Sequence, residues 1–546
     1  MLDNKKGKPS GGYMGKILKV DLERKIIEDK NLDFKIIQDF IGGLGLASKI
    51  LYDEVPPDVD PYSSQNALIF TAGPFTGTFV PGSCNFNVTT KSPMTGIACA
   101  SQSNGYFGPR LKYAGYDGII VKGISEKPLY LYINDGKAEL KDAEEIWGKD
   151  TIETDLFLRK KHGKAKIDSD LSIACIGPAG ENLVRFAGIF NDFGHVCSKG
   201  GVGAVMGSKK LKAIVVHGKE KVPIDKKNKE DFKNWVKKWK DFLVNAPLGS
   251  LYSKFGTASV VSIFNTLGWL PVKNYTTNIF PEYEKFDGKY IRTNFKTKPR
   301  SCHSCPLAHC HIIEVAEGPY KGLECEEPEY ELWAGWGPNI GNTDPNAVIK
   351  LNDVTDRLGM DGNEASFLIS MLMECFEKKI ITVKDTNGIS LKWGDISAVI
   401  SILELIAKRE GFGDFLADGV MRTAKKIGKE AENCAVYVKK GSAPHGLDLR
   451  GAWGLLFTHA ISSIGSWEGY FLERGAIPEI GFKEPIPSWS EEWVPKAAAK
   501  TGFKRQFEES IGCCVFVSRE CIQIYLNALN ALTGLDLNID EMLKIG

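Results

Sequence analysis

The segment Arg300-Ser301-Cys302-His303-Ser304-Cys305-Pro306-Leu307-Ala308-His309-Cys310 constrains this chain more than any other, because it puts three thiols within nine residues. A C-x2-C pair lets two thiolates reach one metal centre from a single tight turn, and Cys310 can close over the same centre. A cuboidal iron–sulfur cluster takes four such ligands, commonly three clustered and one distant. The distant candidate lies in Ile511-Gly512-Cys513-Cys514-Val515, so the fold must join residues more than two hundred positions apart. A structural zinc site is the alternative, with Cys302, Cys305 and Cys310 completed by His309 or His311. Unrelated clustering is a third reading, disfavoured by the specificity of C-x2-C with a near third cysteine. Thirteen cysteines, an odd number, in a chain whose start shows no apolar export segment point to a reducing compartment rather than to disulfides.

At 546 residues the chain exceeds one compact core and suggests roughly two to four domains. Hydrophobic residues at 43% and charged residues at 25% describe an ordinary globular protein. The balance of 69 basic against 68 acidic residues provides no field that would recruit nucleic acid. No apolar run reaches the ~18 residues of a membrane span, and the expected location is the cytoplasm.

Glycines crowd the first part of the chain beside short strand-like runs. Lys16–Leu22, Ala67–Thr71 and Gly118–Val121 read as strands, and Leu129–Ile133 before Asn134-Asp135-Gly136 reads as half of a hairpin. After a break near Lys219, the run Lys221 to Leu243 predicts a helix with Phe232, Trp235, Trp239 and Phe242 on its apolar face. Beyond it the chain reads as mainly helical. One helix starts after a cap at Asp344, buries Ala347, Val348, Leu351, Val354 and Leu358, and stops at Gly359. A second runs from about Glu364 to Lys378 with Phe367, Leu368, Met371, Leu372 and Cys375 inward.

Between these helices stands D-x-x-G-x-D, from Asp356 through Gly359 to Asp361. Two carboxylates flanking a glycine turn suit a ligand rich in N–H groups, although a solvated helix end reads the same way. A second copy strengthens the ligand reading: Glu509-Ser510-Ile511-Gly512-Cys513-Cys514 is acidic-x-x-G-x-Cys, and its last position is the distant thiol. The glycine run Ser198–Lys209 fits neither a P-loop nor a dinucleotide fingerprint.

Five further segments carry a resemblance over nearly the whole chain: Gly73-Pro74-Phe75-Thr76-Gly77-Thr78, Lys91-Ser92-Pro93-Met94-Thr95-Gly96, Leu111-Lys112-Tyr113-Ala114-Gly115-Tyr116-Asp117, Ile176-Gly177-Pro178-Ala179-Gly180-Glu181-Asn182 and Gly203-Ala204-Val205-Met206-Gly207-Ser208-Lys209. The chain resembles the tungsten-dependent aldehyde:ferredoxin oxidoreductase family. The resemblance implies an α+β fold: a β-rich pterin-binding domain over 1–219, a helical domain with the cysteine-rich segment over 220–425, and a mainly helical domain over 426–546. It implies a tungsten (or molybdenum) bis-pyranopterin, one four-iron, four-sulfur (4Fe-4S) cluster, and Mg2+ bridging the pterin phosphates. Asp356, Gly359 and Asp361 would hold one pterin, and Glu509 and Gly512 the other. His195 and Lys199 stand where the family has cations near the pterin phosphates, Asn85 stands where it has an arginine, and Asn104 joins this cofactor-binding set. Cys302, Cys305, Cys310 and Cys514 would hold the cluster.

In the same family an E-Y-E segment, here Glu329-Tyr330-Glu331, lines the substrate pocket. The expected roles are a hydrogen bond from Tyr330 to the substrate oxygen and proton handling by Glu331. The family's cluster run is C-x2-C-x3-C, and here His309 stands at the third position with Cys310 one residue later. A loop absorbs that shift, so Cys310 is the preferred ligand. The family's active-site histidine is missing from Ala460-Ile461-Ser462-Ser463-Ile464-Gly465-Ser466-Trp467-Glu468, where Glu468 is nearest in register and a secondary catalytic candidate. Cys84-Asn85 and Cys325 lean toward a distinct branch, the tungsten subunit of benzoyl-CoA reductases, in which a cysteine at the place of Cys325 ligates tungsten. A free loop thiol is the plain alternative for Cys325. The last residues, Leu543 to Gly546, fall inside a segment expected to continue as helix.

The resulting expectation is oxidation of an aldehyde to a carboxylic acid, with electrons leaving through the cluster to ferredoxin or a small iron–sulfur subunit. A homodimer is one expected assembly. The alternatives are low-potential reduction of an aryl-CoA or activated acid, and a catalytically retired electron-transfer subunit.

Overall fold

The structure is a computed structural model that describes residues 9–163, 170–438, 440–462 and 476–546. Short, apolar, glycine-bounded runs of the N-terminal part form two six-stranded sheets. The first contains β1 (Lys16–Asp21), β2 (Ile26–Asn31), β3 (Leu68–Ala72), β4 (Phe86–Lys91), β5 (Ala98–Ser103) and β6 (Gly118–Lys122), in the order β2-β1-β6-β3-β4-β5. The second contains β7 (Leu129–Asn134), β8 (Lys137–Asp142), β9 (Leu171–Cys175), β10 (Ile189–Asn191), β11 (His195–Cys197) and β12 (Leu211–His217), in the order β11-β10-β9-β12-β7-β8. The expected hairpin is β7–β8, turning through Asp135 and Gly136, both with positive φ. Val20, Phe70 and Val88 of one sheet share a core with Leu131, Ile214 and Val216 of the other. The helices Phe107–Tyr113 and Val202–Ser208 contribute Phe107, Leu111, Val205 and Met206 to it. The glycine run of residues 198–209 thus lets a helix pack closely and is part of the core.

From residue 229 onward helices dominate, with one three-stranded sheet formed by Lys296–Pro299, His311–Glu314 and Glu324–Glu326. The α+β expectation holds. The helix expected from Lys221 starts only at Lys229, because Pro223 and an Asp225 turn, whose carboxylate accepts from the Lys227 and Asn228 amides, occupy the lead-in. Its buried face is Phe232, Val236, Trp239 and Leu243, while Trp235 and Phe242 are half-buried at its margin. Trp239 is fully buried, and its Nε1 donates to the Val517 carbonyl at 2.7 Å. That face packs on the helix Ile522–Thr533. The two helices around the first acidic turn are Pro345–Leu358, capped by Asp344, and Gly362–Glu377, capped by Asp361. The expected inward residues of both are buried except Leu358, which is half-buried. No described helix is long and apolar enough to cross a membrane.

Two of the places where the sheet and helical regions meet are glycine turns packed backbone against backbone. Gly359 ends the helix Pro345–Leu358 at φ +85°, and Gly512 ends the helix Trp493–Ile511 at φ +84°; both conformations favour glycine. Gly177 lies so close to the first turn that a Cβ there would come within 2.6 Å of the Leu358 carbonyl oxygen, and Gly188 N–H donates to Gly359 O at 3.0 Å. At the second turn a Cβ on Gly73 would collide with the Gly512 amide, and Phe75 N–H donates to Ile511 O at 2.9 Å. Gly73→Ala would force backbone apart and is expected to cost about 3 kcal/mol or more. Gly96→Ala meets open space at φ +75° and carries only left-handed strain, roughly 1–2 kcal/mol. Thermal scans of the two variants check this, and equal midpoints would remove the docking argument.

Candidate cofactor and active site

The cysteine-rich loop follows the strand Lys296–Pro299 and leads into His311–Glu314. Its backbone closes on itself: Arg300 N–H donates to Cys310 O at 2.9 Å and Cys305 N–H to Cys302 O at 3.1 Å. The loop at Gly82 ties it to the distant thiol, since Gly82 N–H donates to Ser304 O at 3.1 Å and Cys514 N–H to Gly82 O at 3.0 Å. Cys310 and Cys84 adjoin Cys302, and Cys514 faces Cys305 and Cys302. Hydrogen bonds from Cys310 and Cys84 hold the Cys302 thiol well below its ordinary value against the opposing effect of burial, and His195 adds to them. Burial, with Cys305 nearby, pushes Cys514 up to about 12. All thirteen cysteines are unpaired by disulfides. A buried set of soft donors, drawn from two distant segments, fits a thiolate-bound cluster.

His309 stands beside Cys310 as the departure in spacing suggested, with its Nε2 3.4 Å from Cys310 Sγ and 3.1 Å from Glu329 Oε1. Burial would lower the His309 pKa, but Glu329 raises it. His311 instead faces Arg292 at 3.0 Å and Glu327 at 3.5 Å. Cys513 has Glu508 and Cys521 as neighbours besides Cys514.

His195, at the start of β11, links this cage to a buried carboxylate. Its Nε2 lies 3.3 Å from Cys302 Sγ and its Nδ1 3.0 Å from Glu326 Oε1, and Arg300 donates to Glu326 Oε2 at 3.0 Å. Burial would lower the His195 pKa, but Glu326 and Cys302 carry it well above the ordinary value. Lys199 points elsewhere and pairs with Asp361 at 2.9 Å. Asp361 also caps its helix by accepting from Asn363 N–H. Asp356 accepts from Asn352 Nδ2 at 3.0 Å, and burial, with Glu326 nearby, raises its pKa well above the ordinary value. Glu509 is held by Arg505 at 2.7 Å.

Asn104 touches both thiol families. Its Oδ1 accepts from Cys84 Sγ at 3.4 Å and from Asn85 Nδ2 at 3.5 Å, and its Nδ2 donates to Cys514 Sγ at 3.8 Å. On β4 and β5 and the residue before β4, Asn85 Oδ1, Asn87 Oδ1 and Gln102 Nε2 are buried without a hydrogen-bond partner from the chain. Such orphans are costly unless a ligand satisfies them. Together with the two acidic glycine turns, they fit a polar cofactor rich in amide-like donors and acceptors.

The residues expected on the substrate side, Tyr330 and Glu331, start the helix Tyr330–Trp336. Glu331 Oε1 lies 2.5 Å from Nε2 of His445. Burial alone would raise the Glu331 carboxyl; His445 reverses this and holds it below the ordinary range. The loop carrying His445 is strapped in place: Ala443 N–H donates to Glu364 at 2.6 Å, and Asn363 Nδ2 to Pro444 O at 3.0 Å. His459, pushed down to about 4 by burial, accepts from His445 N–H through Nε2 at 3.3 Å and donates through Nδ1 to Leu455 O at 2.7 Å. The Tyr330 hydroxyl donates to Gly446 O at 2.8 Å, so its proton is already engaged and its oxygen is what it can offer a substrate. Trp333 and Trp336 lie in the apolar core, with Trp333 edge-on to Phe286.

Sequence reasoning passed over His445. A lone histidine between Pro444 and Gly446 carries no spacing signal, and only the fold sets it against Glu331. Glu468 lies outside the described residues, as does the segment 463–475 around it. Cys325 lines a cavity of about 610 Å3 with Arg300, Glu326, Asp356 and Arg357. Its sulfur makes only a weak contact, 4.0 Å from Ile349 O, and it is not among the cage thiols.

Comparison with known proteins agrees with this geometry. A family model described as "Aldehyde ferredoxin oxidoreductase, N-terminal domain" matches residues 17–218, and "Aldehyde ferredoxin oxidoreductase, domains 2 & 3" matches residues 234–546. The tungsten-containing aldehyde ferredoxin oxidoreductase of Pyrococcus furiosus is 38% identical over 543 residues, covering 98% of this chain and 87% of that protein. The "Aliphatic sulfonate oxidoreductase, WOR-like subunit" of Pyrococcus furiosus is 30% identical over 550 residues, covering 97% and 84%. Among solved structures, the active site complex BamBC of benzoyl coenzyme A reductase with 1,5-dienoyl-CoA superposes with a TM-score of 0.86 at 26% identity, over 98% of this chain and 87% of that one. A thiol cage beside two acidic glycine turns, on this fold, defines an oxidoreductase. The chain belongs to the aldehyde ferredoxin oxidoreductase family.

Two substitutions check the geometry. In anaerobically purified protein Cys514→Ala is expected to lose most of the bound iron while Cys513→Ala keeps it, as read by iron analysis; equal retention removes Cys514 from the cage. Asp361→Asn keeps a helix-capping acceptor but removes the charge facing Lys199, so pterin content should fall while the fold, followed by circular dichroism, is retained.

Proposed function

We propose that this chain oxidises an aldehyde to the carboxylic acid at a tungsten bis-pyranopterin, and passes the electrons through a 4Fe-4S cluster to a ferredoxin or a small iron–sulfur subunit in the cytoplasm. The observation that carries the reading is the half-buried Glu331–His445 pair at 2.5 Å, next to Tyr330 and within the field of Lys199. In this assignment Cys302, Cys305, Cys310 and Cys514 hold the cluster. Asp356, Gly359 and Asp361 hold one pterin, and Glu509 and Gly512 the other. Asn85, Asn104 and Lys199 bind the cofactor, with Mg2+ between its phosphates, and His195 bridges the cofactor and cage sides through Glu326 and Cys302. The bound cofactor supplies the two-electron redox chemistry and its one-electron discharge.

The chain supplies position and proton management. Conversion of an aldehyde and water to an acid releases two protons with the two electrons, so a base must be ready in its unprotonated form. His445 keeps Glu331 in that form despite burial. Tyr330, its own proton given to Gly446, accepts a hydrogen bond from the hydrated substrate and orients it. A second reading, reduction of an acyl-CoA at low potential, draws on Cys325 in the wall of the 610 Å3 cavity and on the likeness to the BamBC complex.

Dye-linked oxidation of an aldehyde panel under anaerobic conditions separates the two. Glu331→Gln removes the proton acceptor and should lower turnover by about 10²–10⁴-fold with tungsten content unchanged. In His445→Gln the main group opposing burial at Glu331 is lost, its pKa rises, and the acidic limb of the kcat/KM profile should move to higher pH. A metal-replete wild type that oxidises no aldehyde but reduces an aryl-CoA would favour the second reading.

A further inference from the structure

Three consecutive residues, Lys273, Asn274 and Tyr275, hold left-handed backbone at φ +42°, +54° and +63°. Residues other than glycine rarely adopt it, and for a bulky tyrosine the surroundings must enforce it. Asn274 is buried, and its side chain bolts the run in place. Its Nδ2 donates to Glu374 Oε2 at 2.5 Å and to Cys434 O at 2.6 Å, and its Oδ1 accepts from the Ser370 hydroxyl at 3.1 Å. Lys273 N–H donates to Pro338 O at 3.0 Å and Asn274 N–H to Asn339 O at 3.2 Å. The run is thereby fixed to the helix Gly362–Glu377, whose first turn carries Asn363 and Glu364.

The strained run ends in a side chain that reaches the loop of His445. The Tyr275 hydroxyl donates to Leu447 O, two residues beyond His445. Its ring stands edge-on to Phe367 with centroids 5.7 Å apart, and its carbonyl accepts from Arg450 Nη2 at 2.7 Å. The Arg450 guanidinium lies 5.5 Å from the centre of the same ring while it pairs with Asp448 at 2.6 Å. Glu364 and Asn363 hold the loop before His445, at Ala443 and Pro444, and Tyr275 holds it after. Leu447 N–H donates back to His445 O at 2.5 Å, so a shift of Leu447 is felt at His445.

We propose that Tyr275 is a positioning residue: its hydroxyl, aimed by the left-handed run, fixes the loop at Leu447 so that the His445 imidazole stays against Glu331. The proposal rests on the reading of Glu331 and His445 as the proton-handling pair. Groups that move protons tolerate little displacement, and a loop carries no such precision unless it is tied from both sides. Strained backbone at this place is kept for the direction it gives one side chain. Phenylalanine at 275 keeps the ring and removes the tie without changing a charge. The titratable and charged groups facing Glu331, which are His445, Lys199 and Tyr330, all remain. A change at Glu331 in that variant therefore reports the placement of His445.

The test uses anaerobically purified full-length holoenzyme and two readouts. Diethyl pyrocarbonate modifies accessible imidazoles, and mass mapping of the labelled peptides reads each histidine separately. The His445 side chain is 10% exposed and held on Glu331. In Tyr275→Phe it should be modified roughly two- to tenfold faster, the worth of one hydrogen bond. His162, stacked on Tyr132 in the sheet domain, is the unchanged internal standard. The acidic limb of kcat/KM should move to higher pH, as in His445→Gln, and adding Tyr275→Phe to His445→Gln should move it no further. Arg450, whose side chain is 63% exposed, gives a milder variant. Arg450→Gln should show both effects at smaller size, and it decides the question if Tyr275→Phe does not fold. An unchanged His445 rate, or limb shifts that add in the double variant, overturns the proposal. Wild-type protein that oxidises no aldehyde overturns the function proposed above, while the modification rates still decide what Tyr275 holds.

Discussion

Two glycine-to-glycine contacts hold the architecture in register. Gly177 meets the Gly359 turn and Gly73 meets the Gly512 turn, each with backbone against backbone and no room for a side chain. Both turns end long helices, and each is followed within two residues by a candidate site side chain, Asp361 after one and Cys514 after the other. Docking the turns therefore fixes two helix ends and two candidate groups at once. Side-chain packing could not do this as tightly, because rotamers adjust and glycine backbones in contact do not.

The electrostatics follow from that docking. The sheet domain brings His195, Lys199, Asn85 and Asn104 to a place where the helical region offers Glu326, Asp361, Cys302 and Cys514. Buried carboxylates and thiols would otherwise remain neutral. Here Asp361 is paired with Lys199, and Glu326, paired with His195 and Arg300, and Glu331, paired with His445, are held below the ordinary carboxylate range. Glu364 is the contrast. Burial pushes it to about 7 while it accepts two backbone N–H groups, Val420 and Ala443, and its task is to strap the loop that presents His445.

Much of this was legible in the chain itself. The strands, the helices around Gly359 and the two acidic glycine turns follow from period-2 runs, from caps and from a glycine where a helix must stop. The C-x2-C pair and Cys310 were readable as a group because local spacing puts three thiols on one short loop. What spacing could not encode was contact across the fold. His445 stands in a segment with no periodic or motif signal, and it acquires meaning only from Glu331, which faces it. The aromatic stripe of Lys229–Asn245 was misjudged for a related reason: aromatic residues marked the helix, but Val236 and Leu243 complete its buried side, and the neighbouring helix Ile522–Thr533 decides that.

The cage thiols also set an order in time. Cys302, Cys305 and Cys310 leave the ribosome together, and Cys514 follows more than two hundred residues later. At roughly 5–20 residues per second that is a delay of about 10–40 s. During it the nascent chain carries an incomplete soft-ligand site that any thiophilic ion, zinc included, can occupy. Loading of the proposed cluster would therefore be a matter of kinetic protection as well as affinity, with the oxidation state and metal pool of the cell during translation entering the making of the protein.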